Sequence, residues 1–182
     1  KGDAVPSQKI FQDEKRSVTT SSLLNVIDER DATTTVGSKQ LEEIVGIEGI
    51  GNAMRPKPVS LMVKLIQIAS NNDSIILDFF AGSGTTGQAV LDLNKQDGGI
   101  RQFILVTANE ITDITPNGIV IDVTSKRLKR VMTGECYDGT KDFKWKEENE
   151  TLGDNLDVYD IATVAPYSDE PFEKIDETLY GQ

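Results

Sequence analysis

The residues whose types and spacing could do chemistry lie in one short stretch, residues 75–86, which reads Ile-Ile-Leu-Asp-Phe-Phe-Ala-Gly-Ser-Gly-Thr-Thr. Its apolar run ends in the carboxylate of Asp78, and Gly82 and Gly84 precede hydroxyl side chains that can open a helix. A helix that began there would aim unpaired N–H groups and the positive end of its dipole at a carboxylate or phosphate. Asp78 would favour a cationic or hydroxyl-bearing group. This stretch is therefore predicted to be a ligand-binding turn.

The elements that must position this turn are those of a βαβ unit. Residues 74–77 are a short apolar run typical of a buried parallel strand, and residues 85–93 carry apolar side chains at helical spacing. Residues 102–107 predict a second parallel strand that is covered on both faces. Apolar residues at helical spacing predict a further helix between residues 59 and 69. The fold class is therefore predicted to be α/β, with a parallel sheet and flanking helices.

The glycine turn has a second interpretation. Residues 82–87 also match the dinucleotide fingerprint G-x-G-x-x-G, and Glu110 follows at about the distance of the acid that binds a ribose. The acid and the bulky aromatics ahead of the first glycine, Asp78 to Phe80, fit a minimal pyrophosphate cradle poorly. A fragment that binds a nicotinamide dinucleotide therefore stays open as an alternative function.

The stretch as a whole points to one family. Residues 78–86 resemble the S-adenosylmethionine-binding motif of amino-group DNA methyltransferases. Residues 55–58, Arg-Pro-Lys-Pro, resemble the Lys-Pro segment of the circularly permuted, β-class members, and residues 101–104, Arg-Gln-Phe-Ile, are similar to the modification subunits of type III restriction systems. These motifs keep the family's order and spacing within residues 52–134. The resemblance implies a Rossmann-like methyltransferase fold, present here in part.

The resemblance also implies a cofactor site for S-adenosylmethionine. The methionine end would lie against the strand end and the glycines, with its carboxylate at the helix N-terminus and the Lys-Pro segment flanking the pocket. An acid commonly binds the ribose in this family, and Glu110 is the nearest one here. The cofactor-binding residues implied in this way are Lys57, Pro58, Asp78, Phe79, Phe80, Ala81, Gly82, Ser83, Gly84, Thr85, Thr86 and Glu110.

The family's catalytic motif, Asp/Asn-Pro-Pro-Tyr/Phe, does not occur in this sequence, and Ala-Pro-Tyr at residues 165–167 is the nearest string. Permuted members carry the catalytic half before the Lys-Pro segment. The chain is therefore interpreted as the C-terminal, cofactor-binding part of a larger enzyme, with no catalytic residue of its own. The resemblance implies that the intact enzyme methylates adenine N6 in DNA within a restriction-modification system, while cytosine N4 stays open. A non-catalytic module that docks a partner is the third hypothesis.

Charge is distributed unevenly over the predicted domains. Residues 1–51 are predicted to be a linker or the end of a target-recognition region, residues 52–134 the α/β core, and residues 135–182 an acidic extension. Two strands, near residues 143–145 and 156–161, are expected to let the extension complete the sheet. Residues 1–134 hold 16 acids and 15 Lys/Arg, whereas residues 135–182 hold 14 acids and 4 lysines. This balance should repel DNA phosphates, so DNA is expected to bind through the missing N-terminal part.

The histidine and cysteine content and the lengths of the apolar runs limit which metal sites, disulfides and membrane contacts the chain could have. The chain has no histidine and a single cysteine, so no metal site and no intrachain disulfide are predicted, and a cytoplasmic location is expected. No apolar run is long enough for a membrane span. The expected partners besides DNA are a restriction subunit and a second copy of the chain. A predicted helix at residues 125–132 carries four basic residues that are expected to form a solvated face: Lys126, Arg127, Lys129 and Arg130.

Overall fold

The computed structural model describes residues 33–135 and 139–161. The single cysteine, Cys136, the Ala-Pro-Tyr string at residues 165–167 and the end of the acidic extension lie outside the described residues. The elements in chain order are α1 (Thr34–Val45), α2 (Ile50–Met54), α3 (Val59–Ala69), β1 (Ile75–Asp78), α4 (Thr85–Asp97), β2 (Gln102–Leu105), a π-helical segment (Val120–Ser125), α5 (Lys126–Thr133) and α6 (Lys144–Glu148).

The predicted βαβ unit is confirmed. Strands β1 and β2 pair in parallel, with Ile75 opposite Gln102 and Asp78 opposite Leu105. The pairing continues past the strand ends, because the N–H of Val106 donates to the Asp78 carbonyl at 2.8 Å. Helix α4 connects the two strands and runs four residues further than the apolar pattern indicated, to a left-handed Gly98 at its C-terminus. The architecture is compatible with part of a Rossmann-like sheet.

Only one face of the sheet is covered by the described residues. Ile76 and Phe103 pack against the cluster formed by α3 and α4, and Leu105 packs against the cluster formed by α1, α5 and α6. On the other face, the exposed fractions are 62% for Ile75, 48% for Leu77 and 51% for Ile104. The prediction that both faces are covered was therefore wrong for this part of the chain, since all its helical clusters lie on one side.

Helix α1 belongs to the core, although a linker or irregular chain was expected before residue 52. It begins at Thr34, because Thr33 caps it by accepting a hydrogen bond from the N–H of Val36. A side chain at Gly37 would overlap the backbone of residues 56–58, so α1 and the Lys-Pro segment are in close contact. The side chain of Gln40 also accepts a hydrogen bond from the N–H of Val59, at the start of α3.

The extension after residue 138 adds no strand among its described residues. Strands were predicted near residues 143–145 and 156–161, but α6 occupies residues 144–148 and residues 149–161 have no regular structure. The Lys-Trp-Lys-Glu-Glu sequence of α6 is rich in helix-forming residues, which explains the first error. Trp145 is buried, whereas Tyr159 is exposed. Within the described ranges, no helix has the length and apolar character needed to cross a bilayer.

Candidate functional site

The carboxylate of Asp78 ties the two ends of the glycine turn together. Its Oδ1 accepts a hydrogen bond from the N–H of Phe80 at 3.0 Å, and its Oδ2 accepts one from Thr86 Oγ1 at 2.5 Å. Asp78 is the last residue of β1, and Thr86 lies in the first turn of α4. Asp78, which the sequence predicted at the end of a strand, therefore joins that strand end to the first turn of the helix.

The two glycines give the turn its shape. Gly82 has φ 48° and Gly84 has φ 76°, both in the left-handed region where a Cβ is strained. The N–H of Gly84 donates to the Ala81 carbonyl at 2.8 Å, which closes the turn. Gly84 is the N-cap of α4 and supplies no side chain to the helix, so the first N–H groups of α4 lack a capping side chain.

A cavity of about 460 Å³ lies beside this turn, at the carboxyl ends of both strands. Phe80 projects into solvent with 93% of its surface exposed, and Phe79 is also exposed. The opposite wall comes from the chain that follows β2, where Glu110 is exposed. The residues that line the cavity are Phe79, Phe80, Gly82, Val106, Thr107, Ala108, Glu110 and Ile119.

The wall that carries Glu110 is attached to the helix that follows it. The N–H of Val120 donates to Asn109 Oδ1 at 2.9 Å, and the N–H of Ile119 donates to the Glu110 carbonyl at 3.0 Å. The amide of Asn109 lies where a Cβ at Gly118 would be, so a side chain there would displace that amide and would be strained by the left-handed φ of 90°. These contacts hold the Glu110 backbone while its carboxylate stays in solvent at the cavity.

The other predicted site residues divide into two groups. The side chains of Ser83, Thr85 and Thr86 are buried and bond within the protein, so they can offer a ligand only their backbone. Lys57 is exposed and Pro58 is buried, and neither lines the cavity.

One neighbour of the turn was missed. The Met54 methyl lies 3.9 Å from the position of a Cβ at Gly82, so α2 reaches the turn from just before the Lys-Pro segment. No pattern in the sequence indicated this contact, because a single half-buried methionine in a five-residue helix has no periodicity to distinguish it.

Two of the four basic residues on α5 are buried, which contradicts the predicted solvated face. Arg127 is 0% exposed and Arg130 is 5% exposed. Arg127 Nε donates to Gln88 Oε1 at 2.9 Å, and its Nη1 donates to Thr85 Oγ1 at 2.8 Å. Arg130 Nη1 donates to the carbonyls of Ile44 and Val45, at the C-terminus of α1. Both side chains are buried because these polar groups satisfy much of their hydrogen-bonding capacity.

Burial dominates the electrostatics behind the turn. It lowers the pKa of the Arg127 guanidinium to about 10, although the neighbouring Asp92 carboxylate opposes this shift. Burial also raises the pKa of Asp92 to about 6, although Arg127 and Lys95 oppose that shift. Both shifts favour the neutral forms, so desolvation exceeds the mutual attraction of these two groups.

We expect the Asp92→Asn variant to gain stability relative to the wild type as pH rises from about 4 to about 6. The folded pKa of Asp92 is raised from 3.8 to about 6, so the folded state binds the extra proton and the wild type loses stability over that window. Asparagine does not titrate. Chemical denaturation at pH 4 and pH 7 should show a relative gain on the order of 3 kcal/mol at most. Asp113→Asn, at an exposed position, is the control. The prediction would be contradicted if the stability of Asp92→Asn relative to the wild type did not increase between pH 4 and pH 7.

Comparison with known proteins supports the resemblance seen in the sequence. The family model described as DNA methylase matches residues 10–129. The type III restriction-modification enzyme EcoPI Mod subunit of Escherichia phage P1 is 32% identical over 153 residues, which cover 74% of this chain and 23% of that protein. The StyLTI Mod subunit of Salmonella typhimurium is 35% identical over 136 residues, 67% of this chain and 21% of that protein.

A type II enzyme is also similar. The type II methyltransferase M.KpnI of Klebsiella pneumoniae is 37% identical over 113 residues, which cover 58% of this chain and 25% of M.KpnI. The chain thus spans about a quarter or less of the length of these relatives. The family model and the EcoPI relative each match most of this chain and confirm the predicted resemblance. The chain therefore belongs to the DNA methylase family and is similar to the modification subunits of type III restriction-modification enzymes.

Proposed function

We propose that this chain is the S-adenosylmethionine-binding portion of a site-specific DNA methyltransferase that methylates adenine N6 in a restriction-modification system. The observation that carries the proposal is the cavity at the carboxyl ends of β1 and β2, with the glycine turn on one side and Glu110 on the other. Ligands of open α/β sheets bind at this edge. Its volume of about 460 Å³ lies within the range of small-molecule sites.

The chemistry of the residues fits this cofactor. The uncapped N-terminus of α4 would bind the carboxylate of the methionine end, and the Asp78 carboxylate would favour its cationic groups. The apolar side chains of Val106, Ala108 and Ile119 would contact the adenine ring, and Glu110 would accept hydrogen bonds from the ribose hydroxyls. Lys57 and Pro58 would act from the adjacent segment. The bound cofactor would supply an electrophilic methyl group on its sulfonium.

The remaining parts of the activity belong to a longer protein. We propose that residues 52–134 hold the cofactor in a Rossmann-like sheet, that residues 1–51 lead in from a target-recognition region, and that residues 135–182 form an extension. DNA would bind outside this chain, and the target base would be flipped out of the duplex to reach the methyl group. Adenine N6 is preferred over cytosine N4 because the Mod subunits are among the relatives. A restriction subunit is a proposed partner for the same reason, and a second copy of the chain is another.

Calorimetric titration of the 182-residue chain with S-adenosylmethionine, and with NAD as the comparison, tests the proposal. We expect saturable binding of S-adenosylmethionine and none of NAD. Binding of NAD alone would replace the proposal with the dinucleotide interpretation of the glycine turn. Binding of neither ligand, by this chain and by a longer protein that contains it, would favour a module that only docks a partner.

We expect the Gly84→Ala variant to lose affinity for S-adenosylmethionine by about tenfold or more, because a Cβ there is strained and meets Thr124 Cγ2 at 3.1 Å. Gly98→Ala is the matched control, since Gly98 caps the other end of α4 at φ 71° with no atom within 4 Å of a Cβ. Both changes should cost about 1 kcal/mol through the left-handed backbone. If the same titration gave equal affinities for the two variants, the glycine turn would not be part of the cofactor site.

A further inference from the structure

Two side chains from one continuous helical stretch donate hydrogen bonds to the consecutive carbonyls of Gly82 and Ser83 in the glycine turn. Thr124 Oγ1, in the π-helical segment, donates to the Gly82 carbonyl at 2.5 Å. Arg127 Nη1, one turn later in α5, donates to the Ser83 carbonyl at 3.3 Å and to Ser83 Oγ at 3.1 Å. The turn is therefore attached to a helix that lies about forty residues away in sequence.

These two contacts determine which N–H group of the turn is available. The N–H and C=O of a trans peptide point in opposite directions. Because the Gly82 carbonyl faces Thr124, the N–H of Ser83 in the same peptide points away from the helix. The Ser83 carbonyl faces Arg127, and the N–H of Gly84 in that peptide donates to Ala81. Within residues 33–135 and 139–161, the Ser83 N–H has no hydrogen-bond partner, and it directly follows Gly82, which lines the cavity.

We propose that Thr124 and Arg127 are positioning residues for the carboxylate end of S-adenosylmethionine. They fix the direction of the Ser83 N–H and place a guanidinium charge directly behind the turn, without touching the cofactor themselves. The inference rests on the proposed function and deepens it, because it assigns the amino-acid end of the cofactor, rather than its adenosine, to this helix.

The cost of this arrangement favours a role beyond packing. Arg127 is completely buried, and its Nη2 has no hydrogen-bond partner in the described part of the chain. An apolar side chain would fill the same space without that desolvation cost. The π-helical geometry just before Arg127 is rare, and such segments occur often at functional sites. A buried, unpaired polar atom and a rare helix geometry are both unfavourable for stability, and such features are expected where function constrains the residues.

Titration with two ligands separates positioning from general stability. S-adenosylhomocysteine has the amino-acid carboxylate, whereas 5′-methylthioadenosine lacks it and keeps the adenosine. We expect Thr124→Val to weaken S-adenosylhomocysteine binding about 5- to 10-fold and Arg127→Met about 10- to 100-fold. Neither variant should change the affinity for methylthioadenosine by more than about twofold. Arg127→Lys keeps the charge and should restore part of the loss.

Matched controls come from the same helix. Arg130→Met removes the other buried arginine, which bonds to the C-terminal carbonyls of α1, and Thr133→Val removes a hydroxyl that bonds to the Lys129 carbonyl. We expect both controls to leave the ratio of the two affinities unchanged, even where they lower stability. If Arg127→Met does not fold, Thr124→Val decides the question.

The outcomes distinguish this inference from the proposed function. An equal loss of affinity for both ligands in the Thr124 and Arg127 variants would overturn the positioning role and leave the proposed function in place. A wild-type chain that binds neither S-adenosylhomocysteine nor methylthioadenosine would overturn both.

Discussion

Replacing Asp78 with alanine is expected to abolish S-adenosylmethionine binding while the chain stays folded. The carboxylate accepts hydrogen bonds from the Phe80 N–H and from Thr86 Oγ1, so it joins the end of β1 to the first turn of α4. Without it, the glycine turn loses both its anchor and the negative charge that would favour a cationic ligand. Loss of these charge-assisted contacts should weaken binding by about 100-fold or more.

Asparagine at the same position separates geometry from charge. Its Oδ1 can still accept from the Phe80 N–H, and its amide can donate to Thr86 Oγ1, so the turn should keep its shape. We therefore expect Asp78→Asn to bind more weakly than the wild type but more tightly than Asp78→Ala. Full affinity in Asp78→Asn would show that the charge of Asp78 plays no part.

The Asp73→Ala variant is the matched control, because Asp73 is exposed just before the opposite end of β1. It should bind S-adenosylmethionine as the wild type does. Circular dichroism should show all three variants folded, with the Asp78 changes costing about 1–3 kcal/mol in the free energy of unfolding. Unchanged affinity in Asp78→Ala would refute the assignment of the cavity as the cofactor site.

The local pattern of the sequence was sufficient to predict the βαβ unit. Apolar runs and the glycines between them indicated β1, α4 and β2 within a few residues, because a strand, a tight turn and a helix are each specified by neighbouring residues. The position of the cavity followed from the same reasoning, since parallel strands bring their carboxyl ends to one edge.

The buried arginines could not be predicted in this way. Arg127 and Arg130 are buried because their hydrogen-bond acceptors come from Thr85 and Ile44, which are distant in sequence. A weak signal was present, because both arginines share the helix face of the buried Val123 and Val131. From their charge alone, the two arginines were expected to face solvent, whereas their spacing along the helix places them on the same face as core residues. The strands expected in the extension failed for a related reason, since short stretches with apolar residues, at residues 143–145 and 156–161, do not by themselves specify a strand without partner strands to pair with.

Replacing Arg101 with methionine is expected to be the most destabilising of the changes proposed for the scaffold. The guanidinium is almost completely buried at the amino ends of the strands, where Nη2 lies 2.9 Å from Asp97 Oδ2. Its Nε donates to Ser70 Oγ at 3.2 Å, and Nη2 also donates to Asn72 Oδ1 at 3.0 Å. This side chain thus connects the end of α3, the loop before β1 and the end of α4.

Methionine keeps most of the volume of Arg101 but leaves several polar groups without their partner. The hydrogen bond from Arg101 is the largest cause that lowers the pKa of Asp97, so the ionised carboxylate would lose its main stabilising contact. Asp97 is itself exposed, so the loss is expected to come mainly from the several hydrogen bonds that Arg101 makes, and it should exceed the loss caused by breaking a single exposed ion pair. The loss should appear in chemical denaturation at neutral pH and become smaller as pH falls, because the lowered pKa of Asp97 stabilises the wild type only while that carboxylate is ionised.

Lys95→Met provides the matched control for this change. Lys95 is on the same helix as Asp97, and its Nζ lies 3.0 Å from Glu150 Oε2, but both side chains are substantially exposed. Such a pair contributes about 0–1 kcal/mol, so its loss should hardly change the unfolding transition. Because Arg101 lies at the end of the sheet opposite the cavity, the folded fraction of Arg101→Met should bind S-adenosylmethionine with wild-type affinity. Equal destabilisation by the two changes would contradict the role of Arg101 as the buried connection, and a loss of affinity in folded Arg101→Met would mean that the two ends of the strands are coupled.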